Sequence, residues 1–132
     1  LGMLRCIISF KQPEIEISAN GKTIKTKVYL MLAGIGKFGG GGMKLTPGAQ
    51  PDDGLFYVTV AKNFNLFEII MNVGRLYSGT FISHHKVETF ACTRLSVSSK
   101  DKNAKVEADG EVLGSCPIQV SIIPKSFCVL VP

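Results

Sequence analysis

The segment EIEISANGKTIKTKVYLML, residues 14 to 32, decides the fold class. Glu14-Ile15-Glu16-Ile17 alternates charged and apolar residues, which puts the two isoleucines on one face of an extended chain and the two glutamates on the other. Asn20-Gly21 follows, a dipeptide that tolerates the left-handed backbone of a two-residue type I′ turn and so predicts a hairpin. Thr23–Leu32 then alternates and runs into a fully apolar stretch, Val28 to Ala33. A strand, a tight turn and a longer strand are therefore expected at the start of a mainly β domain.

The same period-two signal recurs along the chain. Strands are expected at Leu4–Phe10, Leu55–Ala61, Lys86–Phe90, Thr93–Ser98, Ala104–Ala108, Ile118–Ile123 and Phe127–Val131, with Lys100–Asn103 as a polar hairpin turn. One segment breaks the pattern. Leu66, Ile69, Ile70, Val73 and Leu76 recur at helical spacing after Asn65, a residue suited to cap a helix, so residues 65–76 are expected to form one short amphipathic helix. Many short strands separated by turns predict a two-layer antiparallel β-sandwich, barrel-like, with that single helix.

Composition bounds the rest. A chain of 132 residues is one domain, long enough to bury a normal core. Charged residues are only 19% against 45% hydrophobic, below the usual charged share, so part of the surface is expected to be covered by another domain or a lipid. No apolar run approaches the roughly 20 residues that span a bilayer, and the first residues do not read as a signal peptide. The net charge is +5, with the densest basic group at Lys22, Lys25 and Lys27. A solvated strand face and a weak pull towards anionic membrane or phosphate are both compatible with it. No Arg-rich stripe interleaved with aromatics is present, which argues against nucleic acid as a partner. Cys6, Cys92, Cys116 and Cys128 lack metal-ligand spacing, and three of them lie in apolar β-like runs. Reduced thiols and a cytoplasmic setting are the expectation.

Residues 39 to 55, GGGGMKLTPGAQPDDGL, stand out because they end in an acidic turn that is not needed to build a core. Gly and Pro exclude a helix here. Asp52 and Asp53 sit in a turn beside main-chain carbonyls, a setting that suits a hard divalent cation. A second acidic turn, Ala108-Asp109-Gly110-Glu111, comes late in the chain. Gly34-Ile35-Gly36-Lys37-Phe38-Gly39 matches GxGxxG, but the glycines and the Pro turn that follow leave no helix to meet a pyrophosphate. A glycine bend packed in a sheet and the wall of a ligand site are the readings left. His84-His85, read as strand residues, would point to opposite faces and make a poor shared metal site, so surface or loop packing is expected of them.

The combination GGGM, a basic residue, a Pro turn and DDGL before a strand, followed later by VEADGE, Pro117-Ile118 and Ile123-Pro124, resembles the C-terminal domain of the diacylglycerol kinase and sphingosine kinase superfamily, closest to bacterial soluble lipid kinases. The resemblance covers nearly the whole chain. It implies a β-sandwich that completes a cleft with an N-terminal domain carrying a GGDGT-type nucleotide site, which this sequence does not contain. The chain would then be a fragment, inactive alone, of an ATP-dependent kinase phosphorylating the hydroxyl of diacylglycerol, a sphingoid base or a related lipid at the membrane periphery, and open to self-association. By position it implies Glu111 as the carboxylate that takes the hydroxyl proton, Asp109 as an orienting or magnesium-network acid, and a Mg²⁺ held by Asp53 with the carbonyls of Gln50 and Leu55. The sequence departs from the pattern where relatives often carry Asn-Gly: Leu32 to Gly36 stands there instead. A non-catalytic lipid-binding or protein-interaction β-sandwich is the alternative function.

Overall fold

The computed structural model describes residues 11–102 and 104–128. The expected strand at Leu4–Phe10 and most of that at Phe127–Val131 lie outside them; Phe127 and Cys128 are not in a strand. Eight strands follow in chain order: β1 Glu14–Ala19, β2 Lys22–Gly34, β3 Phe56–Lys62, β4 Val87–Cys92, β5 Arg94–Ser99, β6 Lys105–Ala108, β7 Glu111–Ser115 and β8 Ile118–Ser121. Among the described residues one helix, α1, spans Leu66–Ser78, and a 3₁₀ turn follows at Thr80–Ser83.

The β1–β2 hairpin forms as expected. Asn20 and Gly21 both adopt positive φ, 53° and 72°. The register sets Glu14 opposite Lys27 and Glu16 opposite Lys25, opposite charges on the exposed face, while Ile15 and Ile17 are buried on the other. The lysines of the basic group are thus solvated strand-face residues.

Six strands form one antiparallel sheet in the order β4-β3-β2-β1-β5-β8, and β6 pairs with β7 separately. The 13 residues of β2 serve both halves of the large sheet. The register shifts between Val28 and Leu30, a bulge that sharpens the local bend. Val58, Val60 and Cys92 from one half join Ile15, Ile17, Leu95 and Val97 from the other in one buried cluster. Strands at opposite ends of a flat sheet could not share a core, so the sheet wraps upon itself into the sandwich-like form. Each fully buried aliphatic side chain there contributes on the order of 1.5–3 kcal/mol.

A second cluster, Ala61, Phe64 and Phe81, receives Ile69 and Leu76 of α1. The helix start is closed by a capping box: Asn65 Oδ1 accepts from the Glu68 N–H at 2.9 Å, and Glu68 Oε2 accepts from the Asn65 N–H at 2.9 Å. Gly79, at φ 81°, ends it.

Two expectations are corrected. The hairpin expected at Lys100–Asn103, of which Asn103 lies outside the described residues, does not join β5 to β6, because the two belong to different sheets; the Asp101 N–H bonds Ser99 Oγ at 3.0 Å, a local bend that dictates no pairing. Glu111–Ser115 is a strand absent from the periodicity reading, with Gly114 at φ 141° and a register shift in β6 masking its pattern. His84 and His85 lie in a loop, as expected of them, and their rings stack at 4.4 Å between centroids.

Candidate functional site

The glycine run closes a small loop. Gly39 and Met43 exchange both backbone hydrogen bonds, N–H to carbonyl at 2.9 and 3.0 Å. Between them Gly40, Gly41 and Gly42 hold φ of 51°, 79° and 96°, a succession of left-handed residues that only glycine adopts cheaply. The GxGxxG match therefore ends β2 in a bend and a loop, with no helix behind it. The base of the loop is pinned: Thr46 Oγ1 donates to the Gly36 carbonyl at 2.6 Å, and the Thr59 hydroxyl donates to the Leu45 carbonyl at 2.6 Å. The Lys44 N–H reaches the Leu76 carbonyl at 2.7 Å, so the loop also abuts the end of α1.

The DDGL turn leads directly into β3. The Asp53 N–H faces the Gln50 carbonyl at 3.4 Å. Asp53 Oδ1 accepts from the Leu55 N–H at 2.9 Å, and Oδ2 accepts from the Tyr57 hydroxyl at 2.6 Å. Those two bonds fix the carboxylate in an otherwise exposed turn. The bond to Asp53, then burial, then repulsion from that carboxylate push the Tyr57 hydroxyl pKa up. Gly54, at φ 74°, lies against Pro124; a Cβ there would sit 3.7 Å from Pro124 Cβ. The turn and the Ile123-Pro124 segment, far apart in sequence, are neighbours in space.

Whether these residues suit a hard cation is answered by their atoms. The Gln50 and Leu55 carbonyls and the Asp53 carboxylate are all oxygen donors, and an ionised carboxylate with two hydrogen bonds keeps further lone pairs. Among the described residues no three His, Cys, Asp or Glu side chains gather as a metal cluster, so a cation here would draw on main-chain carbonyls. The donor set fits Mg²⁺ in kind.

Asp109 and Gly110, at φ 50° and 87°, form the two-residue turn of the β6–β7 hairpin, and Glu111 opens β7 opposite Ala108. Both acids are exposed, and no described residue engages either carboxylate. The hairpin base is held by the Cys116 N–H bonding the Ala104 carbonyl at 3.1 Å. Val112 and Leu113 beside the acids are exposed too. A cavity of about 220 Å³ beside Pro47, Tyr57 and Phe90, and a groove of about 520 Å³ beside Glu16, Lys25 and Lys100, are lined by neither acid. The two acidic turns thus share no hydrogen bond among the described residues, and neither of these two depressions joins them.

Three features escaped the sequence reading. Tyr57 reads in the sequence only as a strand residue, though a hydroxyl four positions after an aspartate, across a glycine turn, is a usable signal. The helix carries more apolar surface than its core needs. Cys128, taken as part of an apolar strand, is exposed, whereas burial raises the thiol pKa of Cys92 and Cys116.

Comparison with known proteins bears on this arrangement. Residues 1–131 match the model of the YegS C-terminal NAD kinase beta sandwich-like domain. The chain belongs to that family. It is thereby a C-terminal domain of the diacylglycerol kinase superfamily. Among similar proteins, a diacylglycerol kinase of Bacillus subtilis is 27% identical over 124 residues, covering 94% of this chain and 41% of the relative. A diacylglycerol kinase of Staphylococcus carnosus is 28% identical over 104 residues, covering 79% and 34%. This family domain thus spans less than half the length of either relative. A solved structure described as a diacylglycerol kinase from Bacillus anthracis superposes with a TM-score of 0.67 at 18% identity, covering 93% of this chain and 42% of that one, which shows a shared fold.

Proposed function

We propose that this domain is the lipid-side part of an ATP-dependent kinase that phosphorylates the hydroxyl of diacylglycerol or a related lipid alcohol. The observation that carries the reading is the β6–β7 hairpin. It holds Asp109 and Glu111 at a tip with no partners among the described residues, in a chain whose similar proteins are named diacylglycerol kinases. Unengaged carboxylates on a rigid two-residue turn are available to a substrate as no core acid is.

In this reading Glu111 accepts the proton of the lipid hydroxyl while its oxygen bonds to the γ-phosphorus of ATP and ADP departs. Asp109, in the same turn, orients that hydroxyl. The nucleotide is held by an N-terminal domain absent from this chain. Asp53 and the Gln50 and Leu55 carbonyls would hold Mg²⁺, which when bound supplies a fixed positive charge in the DDGL turn. Tyr57 and the Leu55 N–H keep the Asp53 carboxylate in position. The domain alone is inactive, and the working protein acts at the membrane periphery on the cytoplasmic side.

The test uses the complete natural protein that carries this chain, with ATP and diacylglycerol. Loss of phosphorylation in Glu111→Gln, with an unchanged melting temperature, is the expected result. Retained turnover would remove Glu111 from its role. The apolar surface left exposed on α1 also suits a second reading, a non-catalytic lipid-binding or protein-interaction module. A GGDGT-type segment encoded upstream favours the kinase; its absence favours the module.

A further inference from the structure

α1 is amphipathic in an unusual sense, because it is apolar on two sides. Ile69 and Leu76 face the core, yet Phe67 is 71% exposed and Met71 64%, and Ile70, Val73 and Tyr77 are exposed with them. At 100° per residue, Phe67, Ile70, Met71, Val73 and Tyr77 fall within one broad arc turned from the core. The glycine loop meets the end of this helix through Lys44, whose N–H binds the Leu76 carbonyl and whose side chain lies against Gly79. Phe38, on that loop, is 62% exposed, with Lys44 Nζ 6.0 Å from its ring centroid.

The unpaired charges that the loop and the helix carry are of one sign. Lys37 and Lys44 stand on the loop, and Arg75 flanks the helical arc. The one acid on the helix, Glu68, is consumed: its carboxylate pairs with Lys86 at 2.7 Å and caps the Asn65 N–H. An apolar face bordered by cations matches a membrane of opposite charge. A second copy of the chain fits it badly, since a two-fold contact would set the same lysines and arginine against each other.

We propose that the outer face of α1, together with the Phe38 tip of the glycine loop, docks on an anionic lipid bilayer. Phe67, Ile70, Met71 and Tyr77 enter the boundary between headgroups and acyl chains, and the Lys37, Lys44 and Arg75 charges meet lipid phosphates with their aliphatic stems along the apolar surface. The helix lies in the plane of the interface; its 13 residues do not span it. This surface rests on the lipid-kinase reading for its purpose, since a bilayer-held alcohol must be reached at the membrane, but its test is independent of turnover.

The complete natural protein is floated with vesicles of equal parts phosphatidylcholine and phosphatidylglycerol, free of diacylglycerol and ATP. The parent floats, and flotation is lost on pure phosphatidylcholine and at high salt. The double variant Phe67→Asp with Met71→Asp stays in solution while its melting temperature is unchanged, both residues being exposed. A parent that fails to float overturns the proposal, as does a variant that floats like the parent. So does a variant whose oligomer falls apart, which assigns the face to a second copy. Phosphorylation of a water-dispersed short-chain diacylglycerol by the parent, measured separately, tests the kinase reading; its absence leaves the flotation result standing.

Discussion

The hydroxyl of Tyr57 donates to Asp53 Oδ2 at 2.6 Å, tying the first residues of a core strand to the acidic turn that precedes it. The bond is reciprocal in its consequences. It orients the carboxylate, and it holds the phenol in its protonated form. A raised pKa means that this contribution is fully present below about pH 10, the unfolded value, and is lost as pH rises through the folded one. Ultraviolet titration is expected to show Tyr57 ionising above the ordinary tyrosine range. Asp53→Asn moves it back towards the ordinary range; an unmoved late transition in that variant would contradict the assignment.

The same turn carries the magnesium proposal. If Asp53 and its neighbouring carbonyls hold the cation, adding Mg²⁺ to the complete protein raises its melting temperature, and chelation reverses the gain by mass action. Asp53→Ala abolishes the rise. Tyr57→Phe keeps the ligands but frees the carboxylate to rotate, so it shifts the Mg²⁺ titration to higher concentration without removing the response. A full Mg²⁺-dependent rise in Asp53→Ala would place the ion elsewhere.

The sequence was informative where one local rule acted alone. Alternation found β1, Asn20-Gly21 found its turn, and the Asn65 cap with apolar residues at helical spacing found α1. It was less informative where tertiary pairing decided. Nothing local says that β2 must bulge after Val28 to serve two halves of a sheet, or that β7 pairs with β6 across a register shift between Val106 and Glu107. The candidate site divides in the same way. Acidic turns are legible because Gly and Asp at turns have few other uses. Tyr57 as the partner of Asp53 depends on a strand direction that only the folded chain supplies. The helical pattern counted Ile70 and Val73 as core-facing, but both are exposed, so amphipathic spacing alone did not say which apolar face was buried.

Glycine at position 40 is required for conformation more than for space. A Cβ there would lie 2.5 Å from Met43 Cε, but that methyl is the mobile end of a flexible side chain. The backbone at φ 51° is the lasting cost, about 1–2 kcal/mol for an L-residue. Gly36 has no positive φ, and a Cβ there meets nothing within 4 Å. Gly40→Ala is therefore expected to lower the unfolding free energy by about 1–2 kcal/mol, and Gly36→Ala to change it by no more than about 0.5 kcal/mol. Urea midpoints of the two variants check the contrast, and equal losses would contradict it.

His84 is the group that couples this fold to mildly acidic pH. Its ring lies 4.8 Å from Phe64, and its Nδ1 accepts the Lys86 N–H at 3.1 Å, a bond that only the deprotonated nitrogen can make. Burial lowers its pKa first, followed by the neighbouring His85 and Arg75 and, less, Lys86, with Glu68 opposing them. The folded state thus favours neutral imidazole more than the unfolded state does. Between the depressed folded pKa and about 6.5, the unfolded chain binds more protons, so stability falls as pH is lowered through that window and is fully present above it. Urea midpoints taken from neutral pH downward are expected to decline there. In His84→Asn, which keeps a side-chain acceptor and has no titration, the decline flattens; a slope unchanged by the substitution would assign the proton uptake to another group.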